Sequence, residues 1–556
     1  MNKKFLISAA LVLIVINHDT QAQSSPPDAG QIQRDTAQPG IVPPKKSKLK
    51  ALPKLENPVI RVATKSGATV LIKSVKFTGN TVISSEELDA VVKPLIGKNQ
   101  TLDDLRAMAQ LINDYYHEQG YYFSRTIIPV QEFNDGVLTM SIQEGRYGDV
   151  VVRGDDLIVK GSTPFLSGLK RGEVIDLKTL EAILLRLDDV TGLSIYPVIT
   201  EGAEIGTADI TITSRIDIKN GGQIDFDNNG SRYTGQYRAS ARWYNNHNFT
   251  FGDNIELNAI ASDAKLWLGS VQYAIPLASG GLTGRLSYSY TSYELGKDYA
   301  PLGATGNAST WAGSLGYKII RSQKTNLNIF VSYQHKDLND HYAQVGVDQH
   351  KTSDSFPITL RFDRRDELLS GGINYGLITW TPGTLNLSGS QLTNDQGTAQ
   401  SDGYFNKLNL DLVRIQTLAD NISLYLRYSQ QFSDKNLDSS ERMSTGGADG
   451  VRAYPIGEGS GDEGWLAQVE LRYVMDEYAP YIFYDAGSTQ LNHKPWDTNS
   501  DKSRTVSGAG IGIRYNYSDQ KWYGNLAIAW RTDGGAPQSD VGNGAYRIIF
   551  SASHTF

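Results

Sequence analysis

The chain has no cysteine among its 556 residues, so it must fold without disulfides even in an oxidising compartment. Beyond Ile16 no apolar stretch approaches the ~20 residues that a membrane-spanning helix requires. Histidine is scarce, with 8 in the chain, and none stands at a metal-ligand spacing such as H-E-x-x-H. His335, His341 and His350 only fall in or beside one connection, so neither a metal nor a cofactor is expected. Gly508, Gly510 and Gly512 alternate inside a predicted strand and lead into no helix, which excludes a dinucleotide turn. No serine occupies a nucleophile elbow, and an enzyme is not expected. The formal net charge is -7, with signs mixed along the chain and one short Lys-rich stretch, Lys45 to Lys50, that reads as a solvated linker. Nothing here points to nucleic acid.

What is present starts at the N-terminus. Lys3 and Lys4 precede an apolar run from Phe5 to Ile16, and Thr20-Gln21-Ala22 supplies small residues where a signal peptidase reads. Residues 1–22 are therefore expected to be a signal peptide and the chain to be exported. With no later helical span, the exported chain is periplasmic, secreted or a membrane β-barrel. Residues 23–69 form a Pro-rich extension in which Pro43, Pro44, Pro53 and Pro58 break any helix early. Within it, the segment Gln31 to Thr36 is short and Pro-bounded, which leaves open whether a helix forms there.

From Val70 the texture changes. Leu71 to Phe77 alternates as a strand, Ser84 and Ser85 cap a helix, and Leu102, Leu105, Met108, Ala109, Ile112 and Tyr116 recur on one helical face that Gly120 ends. Strands are predicted at Tyr121 to Val130 and Gly136 to Glu144. A similar order returns with a strand at Val150 to Arg153, an irregular stretch to Arg171, a helix over Leu177 to Asp188, and strands at Ser194 to Glu201 and Asp209 to Ile216. Two small α+β modules, 70–146 and 147–218, are expected in tandem.

Past Lys219 the helical period vanishes. Segments of about ten residues alternate apolar with polar, the period-2 pattern of barrel strands. Sixteen can be placed between 220–229 and 545–556, an even number as bacterial barrels require. Short predicted turns (Arg321 to Thr325, Ile415 to Asp420, Met475 to Ala479, Tyr517 to Trp522) alternate with long connections. The long ones are Leu295 to Ala308, Asp337 to Asp354, Pro382 to Gly403, Ser433 to Asp462 and Ser488 to Thr505. A periplasmic N-terminal module makes the long set external. Tyr546, Ile548, Phe550 and Phe556 share one parity on the terminal strand, with His554 a polar departure on that face.

Within the first module, Gly120, Tyr121, Ser124, Arg125, Pro129, Gln131, Gly136, Leu138, Glu144 and Gly145 stand in the stretch GYYFSRTIIPVQEFNDGVLTMSIQEG. This stretch closely resembles the first polypeptide-transport-associated (POTRA) domain of two-partner secretion transporters of the haemolysin-activator type. In the longest external connection, 433–462, Val451-Arg452-Ala453-Tyr454-Pro455 resembles the family's Val-Arg-Gly-aromatic loop tip, which folds back into the lumen. Ala453 replaces the usual glycine and adds a Cβ at the turn. Tyr481-Ile482-Phe483-Tyr484-Asp485-Ala486-Gly487 resembles the acidic strand motif that follows. Parity puts Ile482 and Tyr484 toward lipid and Phe483 and Asp485 toward the lumen, and a lumenal carboxylate needs a cation, so Arg452 and Asp485 are expected to form a latch. Asp227-Asn228-Asn229-Gly230, with Thr234-Gly235 and Arg238, resembles the start of the family's barrel; Asn-Gly also favours a tight hairpin.

The expected fold is a membrane all-β protein: a 16-stranded antiparallel transmembrane barrel, 219–556, behind two POTRA domains. The resemblance implies an outer-membrane pore that recognises one large secreted partner protein in the periplasm and exports it unfolded, without nucleotide hydrolysis. Gly120, Tyr121, Ser124, Arg125, Pro129 and Gln131 would bind the client by strand addition, although glycines that keep the small domain together lie on the same strands. The partner would be an adhesin, haemolysin or contact-dependent toxin, and the transporter a monomer in outer-membrane lipid. A barrel-assembly insertase and a passive solute porin are the alternatives.

Overall fold

The computed structural model describes residues 26–37, 41, 43–44, 69–517, 520–540 and 544–556. The predicted signal peptide and most of the predicted Pro-rich extension lie outside the described residues. The first module packs the helices Ser85–Val92 and Leu102–Gln119 against a three-stranded sheet in which Val137–Gln143 lies between Ser74–Thr78 and Arg125–Ile127. Both helices start on capping boxes, Ser84 with Glu87 and Thr101 with Asp104, so their free N–H groups are satisfied locally. Leu105, Met108, Ile112 and Tyr116 are buried against Leu138, Met140 and Ile142, which is the apolar stripe read from the sequence.

Two expectations are corrected here. The strand predicted over Tyr121 to Val130 contracts to Arg125–Ile127, because Tyr121 to Ser124 close a turn, with the Ser124 N–H donating to the Tyr121 carbonyl at 3.1 Å. In the second module the stretch taken as irregular contains the helix Asp156–Ser162. A 3-10 turn Thr163–Leu166 follows it, and the remaining elements are the helix Leu177–Asp188 and the strands Arg146–Arg153, Leu193–Glu201 and Thr207–Ile216, with Thr207–Ile216 central.

The second module is tied to the barrel's periplasmic end by Asp189, which meets Lys318 Nζ at 2.6 Å and Arg321 Nε at 2.7 Å. Burial alone would raise the Asp189 carboxyl. Hydrogen bonds and charge from Arg321 and Lys318 outweigh it and hold the group below the ordinary carboxylate value.

From Asn220–Asp227 to Tyr546–Thr555 the chain forms one closed antiparallel barrel. Val347–Ser355 and Ile358–Asp366 are two halves of a single strand. Thr325–Tyr342 pairs with both on one side and Gly372–Leu387 with both on the other. The break falls at Pro357, which has no N–H to give the ladder but still accepts one from Ser332 at 2.9 Å. Counted so, the barrel has sixteen strands, each overlapping one of the sixteen segments predicted. No helix of the described residues is long and apolar enough to cross a membrane.

Outward-facing aromatics pair across neighbouring strands, Trp267 with Tyr290, Tyr288 with Trp311 and Tyr333 with Phe356, at ring separations of 5.2, 4.4 and 5.1 Å. Such a belt marks a membrane interface. His554 rests on the Trp522 ring at 4.5 Å, which gives this polar residue a partner on the lipid side.

Several connections predicted as long external loops are instead strand. Ala304–Arg321 and Thr325–Tyr342 each run 18 residues, and the turn between Tyr342 and Val347 is short. This hairpin carries the three histidines, each against a cross-strand acceptor: His335 with Asp354 (2.9 Å), His341 with Asp348 (2.6 Å) and His350 with Asn339 (2.8 Å). The barrel closes where Tyr546–Thr555 pairs with Asn220–Asp227 over five residue pairs, against nine with its other neighbour. Asn228 is not part of a tight hairpin. Its side chain donates to the Ile548 carbonyl at 2.8 Å and accepts from the Phe550 N–H at 2.9 Å, extending the short seam.

Candidate functional site in the barrel lumen

Two elements fill the lumen. The first is the connection between Ile422–Ser433 and Glu463–Tyr473, which folds inward and is stiffened by the short pair Met443–Ser444 with Ser460–Gly461. At its tip the Val451 N–H donates to the Thr445 carbonyl at 2.7 Å, and the Tyr454 N–H to the Val451 carbonyl at 2.9 Å. Val451, Ala453 and Tyr454 are buried among inward residues of the last strands, including Phe483, Val506, Ala527 and Ile549. The methyl group of Ala453 fits because it faces Gly508, where a Cβ would stand 2.5 Å from it. Ala453 keeps ordinary negative-φ backbone, so the residue that departs from the family's glycine does not disturb the turn.

Arg452 projects between two carboxylates. Its Nη2 and Nε reach the two oxygens of Asp485 at 2.6 and 2.8 Å, its backbone N–H adds 3.1 Å, and Nη1 reaches Glu470 at 2.5 Å. The guanidinium lies 3.6 Å from the centre of the Phe483 ring. Asp485 is fully buried and Glu470 nearly so, and Glu470 also binds Arg472 and Arg514 at 2.6 and 3.0 Å. The pairing of Arg452 with Asp485 expected from the resemblance and supported by the parity of Asp485 is thus one side of a five-membered cluster. Glu470 was missed, although its inward parity on Glu463–Tyr473, shared with Leu466 and Gln468, was the signal that could have found it. The tip is also tied down at Tyr454, whose hydroxyl lies 2.7 Å from the Asp533 carbonyl and whose own carbonyl accepts from Arg547. Pro455 is buried behind it.

The second element is the helix Ala29–Thr36, which lies inside the predicted flexible extension. Asp28 caps it, accepting from the Gln31 N–H at 2.9 Å, and binds Lys351 at 2.8 Å; Lys351 also meets Asp438 of the inward loop at 2.5 Å. The Ala29 N–H donates to Asp340 at 2.9 Å, Gln33 donates to Thr310, and Arg34 Nη1 donates to the Ser439 carbonyl at 3.0 Å. Ile32 is the helix's main apolar anchor, buried against Tyr233, Tyr293, Tyr299 and Leu338. Barrel wall and loop therefore hold this helix together.

In the first module the six predicted client residues do not form one surface. Gly120, at φ 106, ends the helix Leu102–Gln119, and its carbonyl accepts from Leu177 of the second module at 3.0 Å. Tyr121 packs on Tyr116 and Ser124 is buried. Arg125 and Pro129 are exposed beside the edge strand, while the Gln131 amide donates to and accepts from the Thr139 backbone at 2.8 and 2.7 Å, covering part of the next strand.

Glu144 holds this module's loop, accepting from the Thr81 and Val82 N–H groups at 2.6 and 3.0 Å and from Tyr116 Oη at 3.2 Å. Burial first, then the Glu144 charge, push the Tyr116 phenol up, so it stays a donor. Glu144→Ala strips these donors of their acceptor and should cost about 3 kcal/mol. Limited proteolysis of the full chain should show faster cleavage between residues 70 and 146, and an unchanged pattern would contradict this role.

A sixteen-stranded barrel behind two small periplasmic modules, its lumen closed by an inward loop and a helix, defines an outer-membrane transporter. Residues 206–515 match the haemolysin secretion/activation protein ShlB/FhaC/HecB family and residues 70–145 the ShlB-type POTRA domain, and the chain belongs to that family. Over 558 residues it is 25% identical to the heme/hemopexin transporter protein HuxB of Haemophilus influenzae (strain 86-028NP), covering 96% of each chain. Over 477 residues it is 21% identical to the outer membrane transporter CdiB of Dickeya dadantii (strain 3937), covering 80% of each. The solved structure of CdiB from Escherichia coli superposes with a TM-score of 0.72 at 18% identity, covering 91% of this chain and 94% of that one. The protein is a two-partner secretion pore of the outer membrane with its POTRA region in the periplasm, and it exports a partner exoprotein to the cell surface.

Proposed function

We propose that the pore passes one large unfolded protein of the adhesin, haemolysin or contact-dependent toxin type after both lumenal elements have moved aside. The observation that carries this is how those elements are held. The loop tip and the helix are fixed to the wall by side-chain ion pairs, Arg452 with Asp485 and Glu470, and Asp28 and Asp438 with Lys351. Contacts of this kind can be exchanged one at a time for contacts to a client or to water. A passive porin has no use for two removable closures.

The first POTRA domain captures the client along the short edge Arg125–Ile127, with Arg125, Pro129 and Gln131 at hand. Folding of the client outside supplies the driving force, without nucleotide hydrolysis or any enzymatic step. The transporter works as a monomer in outer-membrane lipid. HuxB bears the name heme/hemopexin transporter protein, so cargo related to that ligand is the first to look for.

The test compares proteins released or displayed by cells with and without the gene. One large secreted protein should disappear from the surface and medium of the deletion strain. Loss of solute uptake with every secreted protein in place would refute the export reading.

A further inference from the structure

The lumen wall below the helix Ala29–Thr36 carries two arginines that neither closure uses. Arg285, on the strand Leu282–Glu294, shares the inward parity of the buried Thr291 and Tyr293. Arg361, on Ile358–Asp366, shares that of the buried Asp363. Both are exposed to the lumen, and no carboxylate among the described residues pairs with either. Inward Arg238, Arg427 and Arg452, by contrast, each meet a carboxylate within 3.3 Å. Asp363, two residues along from Arg361, is already engaged by Asn326 at 2.9 Å.

Arg285 and Arg361 stand three strand spacings and about four residues of register apart, roughly 20 Å between backbones, and their long side chains bring the two guanidiniums close enough to repel each other. Between them the wall is low. Ser314 is opposite Arg285, and Gly316 is opposite Phe330, whose ring would lie 2.7 Å from a Cβ on Gly316. Arg361 sits over the Phe330 ring at 5.6 Å. The result is a shallow cationic saddle with an aromatic floor. Thr310, which receives Gln33 of the lumenal helix, is six residues further along the Gly316 strand, roughly 20 Å toward the outside. A chain coming from the periplasm therefore meets the saddle before it meets the helix.

We infer that Arg285, Arg361 and Phe330 form a binding site for carboxylate side chains of a polypeptide entering the lumen. Two like charges left unpaired in a confined channel raise the local concentration of anions, and a guanidinium gives a carboxylate two parallel N–H donors. The apolar ring offers contact to the backbone or methylene groups next to each acidic residue, which a free small anion lacks. The inference rests on the export reading, but its test does not require transport.

The test uses the full-length protein in detergent and a fluorescent peptide of alternating Glu and Ser, with a Gln and Ser peptide of equal length as control. Anisotropy should show the acidic peptide binding at least about tenfold more tightly. Arg285→Gln with Arg361→Gln should abolish that preference, while Arg285→Lys with Arg361→Lys should keep most of it. Equal binding of the two peptides, or an acidic preference that survives the Gln pair, overturns the site. If free glutamate competes as well as the peptide at equal carboxylate concentration, the assignment to a polypeptide is wrong. Should the Gln pair fail to fold, the unaltered protein decides: the acidic peptide must slow modification of Arg285 and Arg361 by an arginine-selective dicarbonyl, read by mass spectrometry, and unslowed modification overturns the site.

Discussion

Arg452→Met is expected to release the inward loop and abolish export. The change leaves Asp485 and Glu470 buried with their shared cation gone, although Glu470 keeps Arg472 and Arg514. Asp485 keeps no side-chain partner among the described residues, and stripping one member from a buried pair costs about 3–5 kcal/mol. Asp485→Asn should cost less, because Arg452 retains Glu470. Removing Arg452 and Asp485 together should cost less than the sum of the two single losses, since the second change relieves what the first leaves unpaired. The readouts are thermal unfolding of the purified barrel, external protease access to residues 434–462, and secretion of the partner.

A simple exchange, Arg452→Asp with Asp485→Arg, should not restore the wild type, because Glu470 would then face a new carboxylate 18 positions back along the chain. Its failure would therefore say nothing against direct contact between Arg452 and Asp485. Additive losses from the two single changes would.

The gap between Asp485 and Glu470 shows what the sequence makes legible. In a barrel one face meets lipid and the other water, so alternation reveals every strand and parity turns Asp485 into the lumen, while the resemblance of the loop tip brings Arg452 there. Glu470 has the same parity but sits in no recognisable motif, and only the register of Glu463–Tyr473 against Tyr478–Gln490 brings it within reach of the loop.

Outside the bilayer the alternation fails, because both faces of a strand are wet. That is why the polar hairpin around Tyr342 and Val347 was expected to be loop. The lumenal helix was illegible for a related reason. Ile32 is its one large apolar residue, buried with Ala29 in an aromatic and aliphatic patch that the barrel wall supplies, so no apolar stripe recurs along AGQIQRDT. The second module's helix Asp156–Ser162 is likewise too short to show a period. The contraction of the strand predicted over Tyr121 to Val130 is a different failure. Its residues have high β-propensity, but the left-handed Gly120 and the turn at Tyr121 to Ser124 redirect the chain before pairing begins.

Lys351→Met is expected to unplug the pore. Lys351 is 4% exposed and is the cation on which Asp28 of the helix cap and Asp438 of the loop converge. Without it two carboxylates face each other in a confined space, and only Ser439 remains to donate to Asp28 from the loop, at 2.6 Å. The helix has eight residues, too few to persist once its tertiary contacts weaken. Loss of a buried pair worth about 3–5 kcal/mol moves the ratio of open to plugged pores by roughly two to four powers of ten. Asp28→Asn separates the contributions: it keeps a capping side chain and removes the repulsion with Asp438, so it should open the pore less than Lys351→Met does. In planar bilayers Lys351→Met should give larger and more frequent open-channel currents than the parent. In cells it should sensitise the envelope to antibiotics too bulky for ordinary porins. Currents no larger than wild type would mean that Lys351 does not control the helix, and that Ile32 and the tyrosines around it hold the helix without the charge.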